Sequence, residues 1–213
     1  MTVLYRLDAS AEDIASRFGA RAGDDPWQGG YVAPLKFAPV ITAGREFIAG
    51  ARPSGKPLQP RMTPRLWGVL PPPAAEDPTR RITSVRNTDS PFWIGNLRNS
   101  EFRCLVPATR IMLWGSETDY EGRRLQHWFA PEGERIFALA GVWKDEEVPA
   151  FALLTRAASG AALKAGCRSM PVVLPDDERA EEDWLHGNWD AASTATEPSR
   201  AATLLEIGDP AAN

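Results

Sequence analysis

The sequence offers few residues that combine into a known catalytic or metal-binding pattern. Among its 213 residues are two cysteines, Cys104 and Cys167, and two histidines, His127 and His186. The two cysteines provide neither a disulfide framework nor a zinc quartet, and the two histidines lie elsewhere among acidic or polar residues. The chain also lacks a phosphate-binding loop, a G-x-G-x-x-G fingerprint, an H-E-x-x-H zinc motif, a G-x-S-x-G nucleophile elbow and a C-x-x-C redox motif. We therefore expect neither a metal nor a cofactor.

Cys167 is one candidate for a reactive side chain. It precedes Arg168 in a predicted loop, and a neighbouring positive charge lowers the pKa of a thiol. An ordinary core or loop cysteine is the other interpretation, and it is the one that we favour. Cys104 lies in an apolar run, so we expect it in the core.

Positive charge is concentrated in the first part of the chain, although the net charge is −4. Residues 1–124 contain 17 basic and 13 acidic side chains, whereas residues 125–213 contain 7 and 15. Residues 45–110 alone carry a net charge of +6, and 20 of the 24 basic residues are arginines. Arginine binds phosphate through paired hydrogen bonds and stacks on bases better than lysine does. The distribution indicates a basic groove for nucleic acid, with a solvated arginine-rich surface as the alternative.

Two of the eight tryptophans, Trp67 and Trp114, lie close in sequence to Arg65 and Arg110. Most tryptophans are core residues. Aromatic rings beside arginines also bind unpaired bases, by stacking and by cation–π contact. Composition does not separate these two interpretations.

Short apolar runs between glycines and prolines predict a fold made mostly of strands. Helices are predicted after N-cap signals, from Ser10 to Phe18 and from Asp176 to Leu185. The segment from Ala191 to Arg200 is polar and of low complexity, so we expect a loop there. Extended structure is expected over residues 3–7, 47–49, 66–70, 103–107, 110–114, 125–130, 135–142, 151–155 and 170–174.

This pattern predicts one α+β domain over residues 1–213, with a barrel-like, mostly antiparallel β core and peripheral helices. Residues 186–213 are expected to form a polar C-terminal tail. No stretch approaches the roughly 20 apolar residues needed to cross a bilayer. Residues 1–10 lack the basic and apolar regions of a signal peptide. We therefore expect a cytoplasmic protein with no membrane partner.

Six short blocks of the sequence form a recognisable set. They are Tyr31-Val32-Ala33-Pro34, Arg65 to Pro71 (R-L-W-G-V-L-P), Arg103 to Ala108 (R-C-L-V-P-A), Phe137 to Trp143 (F-A-L-A-G-V-W), Leu153 to Ala158 (L-L-T-R-A-A), and Met170 to Leu174 (M-P-V-V-L) with Trp184-Leu185 after it. In this order they resemble the SOS response-associated peptidase (SRAP) family over residues 1 to about 185. The resemblance implies a monomeric protein of the DNA damage response that binds single-stranded or gapped DNA.

Members of that family use a cysteine at position 2, exposed once Met1 is removed. It crosslinks covalently to abasic sites and cleaves the leader peptide, with an asparagine, a glutamate and a histidine around it. At the corresponding positions this sequence has Thr2, Ser84, Leu113 and Cys167. A leucine cannot transfer a proton, and a threonine hydroxyl is a far poorer nucleophile than a thiolate. The resemblance therefore implies that crosslinking and self-cleavage are lost or weakened.

The resemblance and the basic surroundings also indicate which residues bind DNA. The candidates are Arg86, Trp67, Trp114, Arg65 and Thr155. Ser169 stands where the family has a DNA-binding arginine, so we expect weaker binding than in a typical member. We further expect Thr2, Ser84, Arg86, Leu113 and Cys167 to converge on one concave surface.

Three functions remain open from the sequence. The first is a non-covalent binder of single-stranded or abasic DNA. The second is an active hydrolase or crosslinker that uses Thr2, activated by its own α-amine, or Cys167. The third is a phage-related protein-interaction module. The acidic last third of the chain would suit such contacts with another protein.

Overall fold

Twelve strands and five α-helices are present in the part of the chain that the computed structural model describes, residues 4–23, 26–44, 58–133, 135–200 and 202–208. The strands are β1 (Leu4–Leu7), β2 (Gly30–Val32), β3 (Phe37–Thr42), β4 (Arg61–Trp67), β5 (Ser84–Val85), β6 (Arg103–Ala108), β7 (Arg110–Thr118), β8 (Arg124–Pro131), β9 (Phe137–Lys144), β10 (Ala150–Ala157), β11 (Ser169–Pro171) and β12 (Leu204–Ile207). The helices are α1 (Ala11–Arg17), α2 (Ile94–Arg98), α3 (Gly160–Lys164), α4 (Glu178–His186) and α5 (Trp189–Ala195). No helix among these residues is long and apolar enough to span a membrane.

Five strands close into a barrel. Their order is β10-β4-β3-β6-β9, and β9 pairs back with β10. The pairings are antiparallel except for β10 with β4, which is parallel. β11 pairs antiparallel with β10, and β5 pairs parallel with it. The predicted α+β fold with a barrel-like, mostly antiparallel core is therefore confirmed.

A second sheet, with the order β12-β8-β7-β1-β2, is entirely antiparallel. The chain passes from the barrel to this sheet at Thr109, between β6 and β7. There the Thr109 amide donates to the carbonyl oxygen of Arg6 at 2.7 Å, and the Thr109 hydroxyl donates to the same oxygen at 3.0 Å. The buried faces of the barrel and the sheet share one continuous hydrophobic core.

Both helix-start signals are confirmed. Ser10 caps α1 in a reciprocal capping box with Asp13, and the Asp177 side chain accepts from the Arg179 amide at the start of α4. These contacts satisfy backbone N–H groups that a helix leaves unpaired in its first turn.

Three sequence predictions are wrong in detail. The strand expected over 66–70 instead covers Arg61–Trp67, because the chain turns at Gly68, whose φ of 137° few other residues adopt. The loop expected over 191–200 is instead largely the helix α5, capped by Asn188. The expected polar tail contains both α5 and β12, whose residues pair with β8. The strand predicted over 47–49 lies outside the described residues.

Arg103, the first residue of the R-C-L-V-P-A block, holds two helix ends against the barrel. Its side chain is fully buried. Its guanidinium donates to the carbonyl oxygens of Leu97, Trp184 and Gly187, which a helix leaves unsatisfied at its C-terminal end. Burial lowers the pKa of Arg103 to about 10, so the group still carries its charge at neutral pH. Its role is structural.

Candidate functional site

A small cavity lies beside the C-terminal half of β10. Its volume is about 90 Å³, and it is lined by Trp67, Thr83, Ser84, Arg86, Leu153, Thr155 and Ser169. The parallel pairing of β5 with β10 places Ser84 opposite Leu153. The Thr155 hydroxyl donates to the carbonyl oxygen of Val85 at 3.3 Å, which fastens these two strands together. Four of the sequence candidates (Trp67, Ser84, Arg86 and Thr155) therefore meet in one place.

The chemistry of this cavity is that of a polar binding site with one positive charge. Four hydroxyl side chains line it, from Thr83, Ser84, Thr155 and Ser169. Hydroxyl groups both donate and accept hydrogen bonds. Arg86 is exposed at the edge, and no carboxylate among the described residues is paired with it. A hydroxyl-rich wall beside a free guanidinium suits a phosphate or sugar group.

Trp67 forms an apolar wall of the cavity and does not offer a surface on which a base could stack. Its side chain is 1% exposed. The indole N–H donates to the carbonyl oxygen of Thr83 at 2.9 Å. Its ring lies 6.1 Å from the Phe151 ring and 5.4 Å from the Tyr5 ring, between centroids. The aromatic neighbours already cover the faces of this tryptophan, so the stacking role expected from the sequence does not fit its position.

Unlike Trp67, Arg65 and Trp114 lie away from the cavity. Arg65 is 4% exposed, with its guanidinium carbon 3.8 Å from the centroid of the Trp143 ring, so a phosphate could not reach it. Trp114 follows Leu113 on β7 and therefore projects from the opposite face of the strand. Trp114 is half-buried on that face, where Met112 is fully buried. Neither residue lines the cavity.

Leu113 is a core residue. It is 1% exposed and lies directly opposite His127 in the β7–β8 pairing. The next residue back along β7, Met112, pairs with Leu4 of β1. Thr2 lies outside the described residues, so its convergence with Leu113 stays a prediction.

Cys167 is buried, and its surroundings disfavour a thiolate. Its exposed fraction is 2%. Burial, and after it the negative charge of Glu206, raises the pKa of the Cys167 thiol. Of the two interpretations, the ordinary core cysteine fits this position, because Arg168 is exposed to solvent while the thiol is buried. Cys167 does not line the cavity.

Two residues that line the cavity were not among the sequence candidates, and neither was a histidine that lies elsewhere, on β8. Thr83 and Leu153 line the cavity, and their neighbours in sequence, Ser84 and Thr155, were the only signal that could have indicated them. His127 lies across from Leu113, with its Nδ1 2.6 Å from a carboxylate oxygen of Glu206. Nothing in the sequence links these two residues, which are brought together by the pairing of β12 with β8.

No group of three or more potential metal ligands occurs among the described residues. The hydroxyl and guanidinium groups of the cavity are poor ligands for a metal ion, since metals in proteins are bound chiefly by carboxylate, imidazole and thiolate groups.

Comparison with known proteins places this α+β barrel with its polar cavity in a defined class. Residues 1–207 match the family model described as SOS response associated peptidase (SRAP). The chain belongs to the SRAP family. The match includes α5 and β12, beyond the end of the resemblance at about residue 185. No curated protein matches the chain significantly.

Solved structures share the fold over nearly the whole chain. A protein from Bacteroides thetaiotaomicron has a TM-score of 0.69 at 18% identity, covering 97% of this chain and 92% of its own. A protein from Bordetella bronchiseptica has a TM-score of 0.69 at 16% identity, covering 98% and 100%. A phage-related protein from the same organism has a TM-score of 0.66 at 15% identity, covering 97% and 94%. At these identities the similarity establishes the fold.

Proposed function

We propose that this protein acts in the DNA damage response by binding single-stranded or gapped DNA without forming a stable covalent bond. The cavity that gathers Ser84, Arg86 and Thr155 is the observation that carries the proposal. Its small volume of about 90 Å³ and its hydroxyl-rich lining suit a phosphate or a base-free sugar. The protein acts as a cytoplasmic monomer in this proposal.

Arg86 is the residue through which the cavity recognises the DNA backbone. Its exposed guanidinium, with no described carboxylate as a partner, is free to bind a phosphate oxygen. Backbone contacts release counterions, so affinity falls as salt rises. They carry no sequence information, and binding is therefore expected to depend little on base sequence.

The test is a salt titration of a labelled single-stranded oligonucleotide. In the Arg86→Ala variant, binding weakens for all sequences, and the slope of log affinity against log salt flattens by about 0.7 for the lost contact. Arg124→Ala is the matched control, because Arg124 is exposed on β8 and does not line the cavity. Wild-type affinity that does not change between low and high salt would contradict the proposal.

Loss of the covalent chemistry follows from the side chains at the substituted positions. Leu113 cannot act as an acid or a base, and the Cys167 thiol is buried with a raised pKa. We expect the wild-type protein to release an oligonucleotide with an abasic site on heating in denaturant. A crosslink that survives this treatment would favour the second function, an active Thr2 or Cys167. Peptide mapping of the adduct would identify the residue.

A further inference from the structure

Arg156 on β10 differs from Arg103, which is buried, and from Arg17 and Arg81, which are half-buried. Arg103 donates to three backbone carbonyl oxygens. Arg17 forms two hydrogen bonds with the carboxylate of Glu181. Arg81 donates to the carbonyl oxygen of Gly68. In contrast, Nε and Nη1 of Arg156 are shielded from solvent and have no hydrogen-bond partner among the described residues.

A desolvated guanidinium with no hydrogen-bond partner lowers the stability of the folded protein. Burying a charge carries a large free-energy penalty unless hydrogen bonds or an opposite charge offset it. Burial lowers the pKa of Arg156, and no carboxylate of the described residues opposes that effect. The side chain is only half-buried, so its remaining nitrogen, Nη2, is the one that an incoming anion can meet first.

The face of the β10–β11 pair that carries Arg156 is distinct from the cavity. Thr155 and Ser169 line the cavity. Arg156 pairs with Met170, and successive side chains in a strand point to opposite faces. Arg156 therefore projects from the reverse face of these two strands.

Arg168 lies on that same reverse face. The Ala158 amide donates to the carbonyl oxygen of Arg168 at 3.3 Å, which continues the β10–β11 pairing by one further step. Arg168 is therefore a diagonal neighbour of Arg156, and diagonal neighbours on one face lie about 7–8 Å apart. Arg168 is exposed to solvent. At that spacing, both guanidinium groups could contact one anion.

We propose that Arg156 and Arg168 form a second binding site, for a phosphate group, on the reverse face of the β10–β11 pair. The two arginines hold one phosphate from two sides, as paired guanidinium groups do in other anion sites. The link to DNA rests on the proposed function, since it requires a strand bound in the cavity to continue round the end of this strand pair. The site itself does not depend on that link.

The first experiment measures thermal unfolding with and without inorganic phosphate. In phosphate-free buffer, Arg156→Met has a higher unfolding temperature than the wild type, because it removes a desolvated charge with no partner. Phosphate raises the unfolding temperature of the wild type but not that of Arg156→Met or Arg168→Gln. Arg124→Gln, an exposed arginine on β8, keeps the wild-type response. An Arg156→Met variant that is less stable than the wild type and still responds to phosphate would overturn the proposal.

The second experiment tests the link to DNA. Arg168→Gln changes an exposed residue, so we expect it to fold normally. It flattens the salt dependence of oligonucleotide binding by about 0.7, as each lost phosphate contact on a single strand does. If phosphate stabilises the wild type and no oligonucleotide binds, the proposed function is wrong and the site binds free phosphate. If oligonucleotides bind with an unchanged slope in Arg168→Gln, the strand does not reach this site and the link is wrong.

Discussion

The ion pair between α1 and α4 gives a stability prediction with a defined pH dependence. Arg17 donates from Nη1 and Nη2 to the two carboxylate oxygens of Glu181, at 3.1 and 2.9 Å. The Glu181 side chain is 11% exposed and that of Arg17 is 27% exposed. Replacing Arg17 by leucine would leave this carboxylate buried without its main partner.

The size of the effect follows from these contacts. Removing one partner of a fully buried ion pair destabilises a protein by about 3–5 kcal/mol. Because water reaches part of the Arg17 side chain, we expect Arg17→Leu to lower the free energy of unfolding by about 2–3 kcal/mol at neutral pH.

The pH dependence follows from the pKa of Glu181. Burial raises this pKa above the ordinary value of 4.5, and the hydrogen bonds from Arg17 partly oppose the rise. Without Arg17 the pKa rises further, so ionisation of Glu181 in the folded protein becomes more unfavourable. A group whose pKa is higher when folded contributes stability below its unfolded pKa, and that stability is lost as the pH rises through the folded pKa. The difference between Arg17→Leu and the wild type should therefore be small below pH 4.5 and grow toward neutrality.

Urea unfolding of both proteins at about pH 4 and pH 7.5 measures this difference. Arg179→Leu is the matched control on α4, the helix that carries Glu181, because the Arg179 side chain is 83% exposed and lies 3.9 Å from Asp183. Such a surface pair contributes at most about 1 kcal/mol. An Arg17→Leu difference equal at the two pH values would refute the reasoning, since it would show that packing, and not the charge of Glu181, is what Arg17 provides.

Two further predictions concern buried groups. Arg103→Met should lower the free energy of unfolding by at least about 3 kcal/mol, because three carbonyl oxygens each lose a hydrogen bond worth about 1 kcal/mol or more. Urea unfolding measures this change, and a loss below about 1 kcal/mol would contradict the structural role of Arg103. Cys167 should react slowly with an alkylating reagent in the folded protein and rapidly in urea, because the thiol is 2% exposed and burial raises its pKa. Mass spectrometry of the labelled peptide measures the rate of labelling. Rapid labelling of the folded protein would restore Cys167 as a candidate nucleophile.

The local sequence was sufficient for the elements with strong local signals. The apolar run at Arg103–Ala108 forms β6, and Ser10 with Asp13 forms the capping box of α1. Caps and apolar runs act over a few residues, so they can be identified without knowing the rest of the fold. The sequence alone also shows that Leu113 and Cys167 differ from the residues that the SRAP family has at these positions, because this comparison needs only the type of each side chain.

The tertiary structure decided which candidates are accessible. Trp67 and Arg65 both lie in a basic, aromatic stretch of the sequence. In the fold, however, the ring of Trp67 packs against Phe151, and the guanidinium of Arg65 stacks on Trp143. Alternation along a strand separates two faces, but in a barrel that packs against a second sheet both faces can be buried. The pairing of distant strands determines which face of a strand is buried. Two outcomes depend on that pairing alone: β12 joins the sheet through β8, and Ser84 of β5 lies opposite Leu153 of β10.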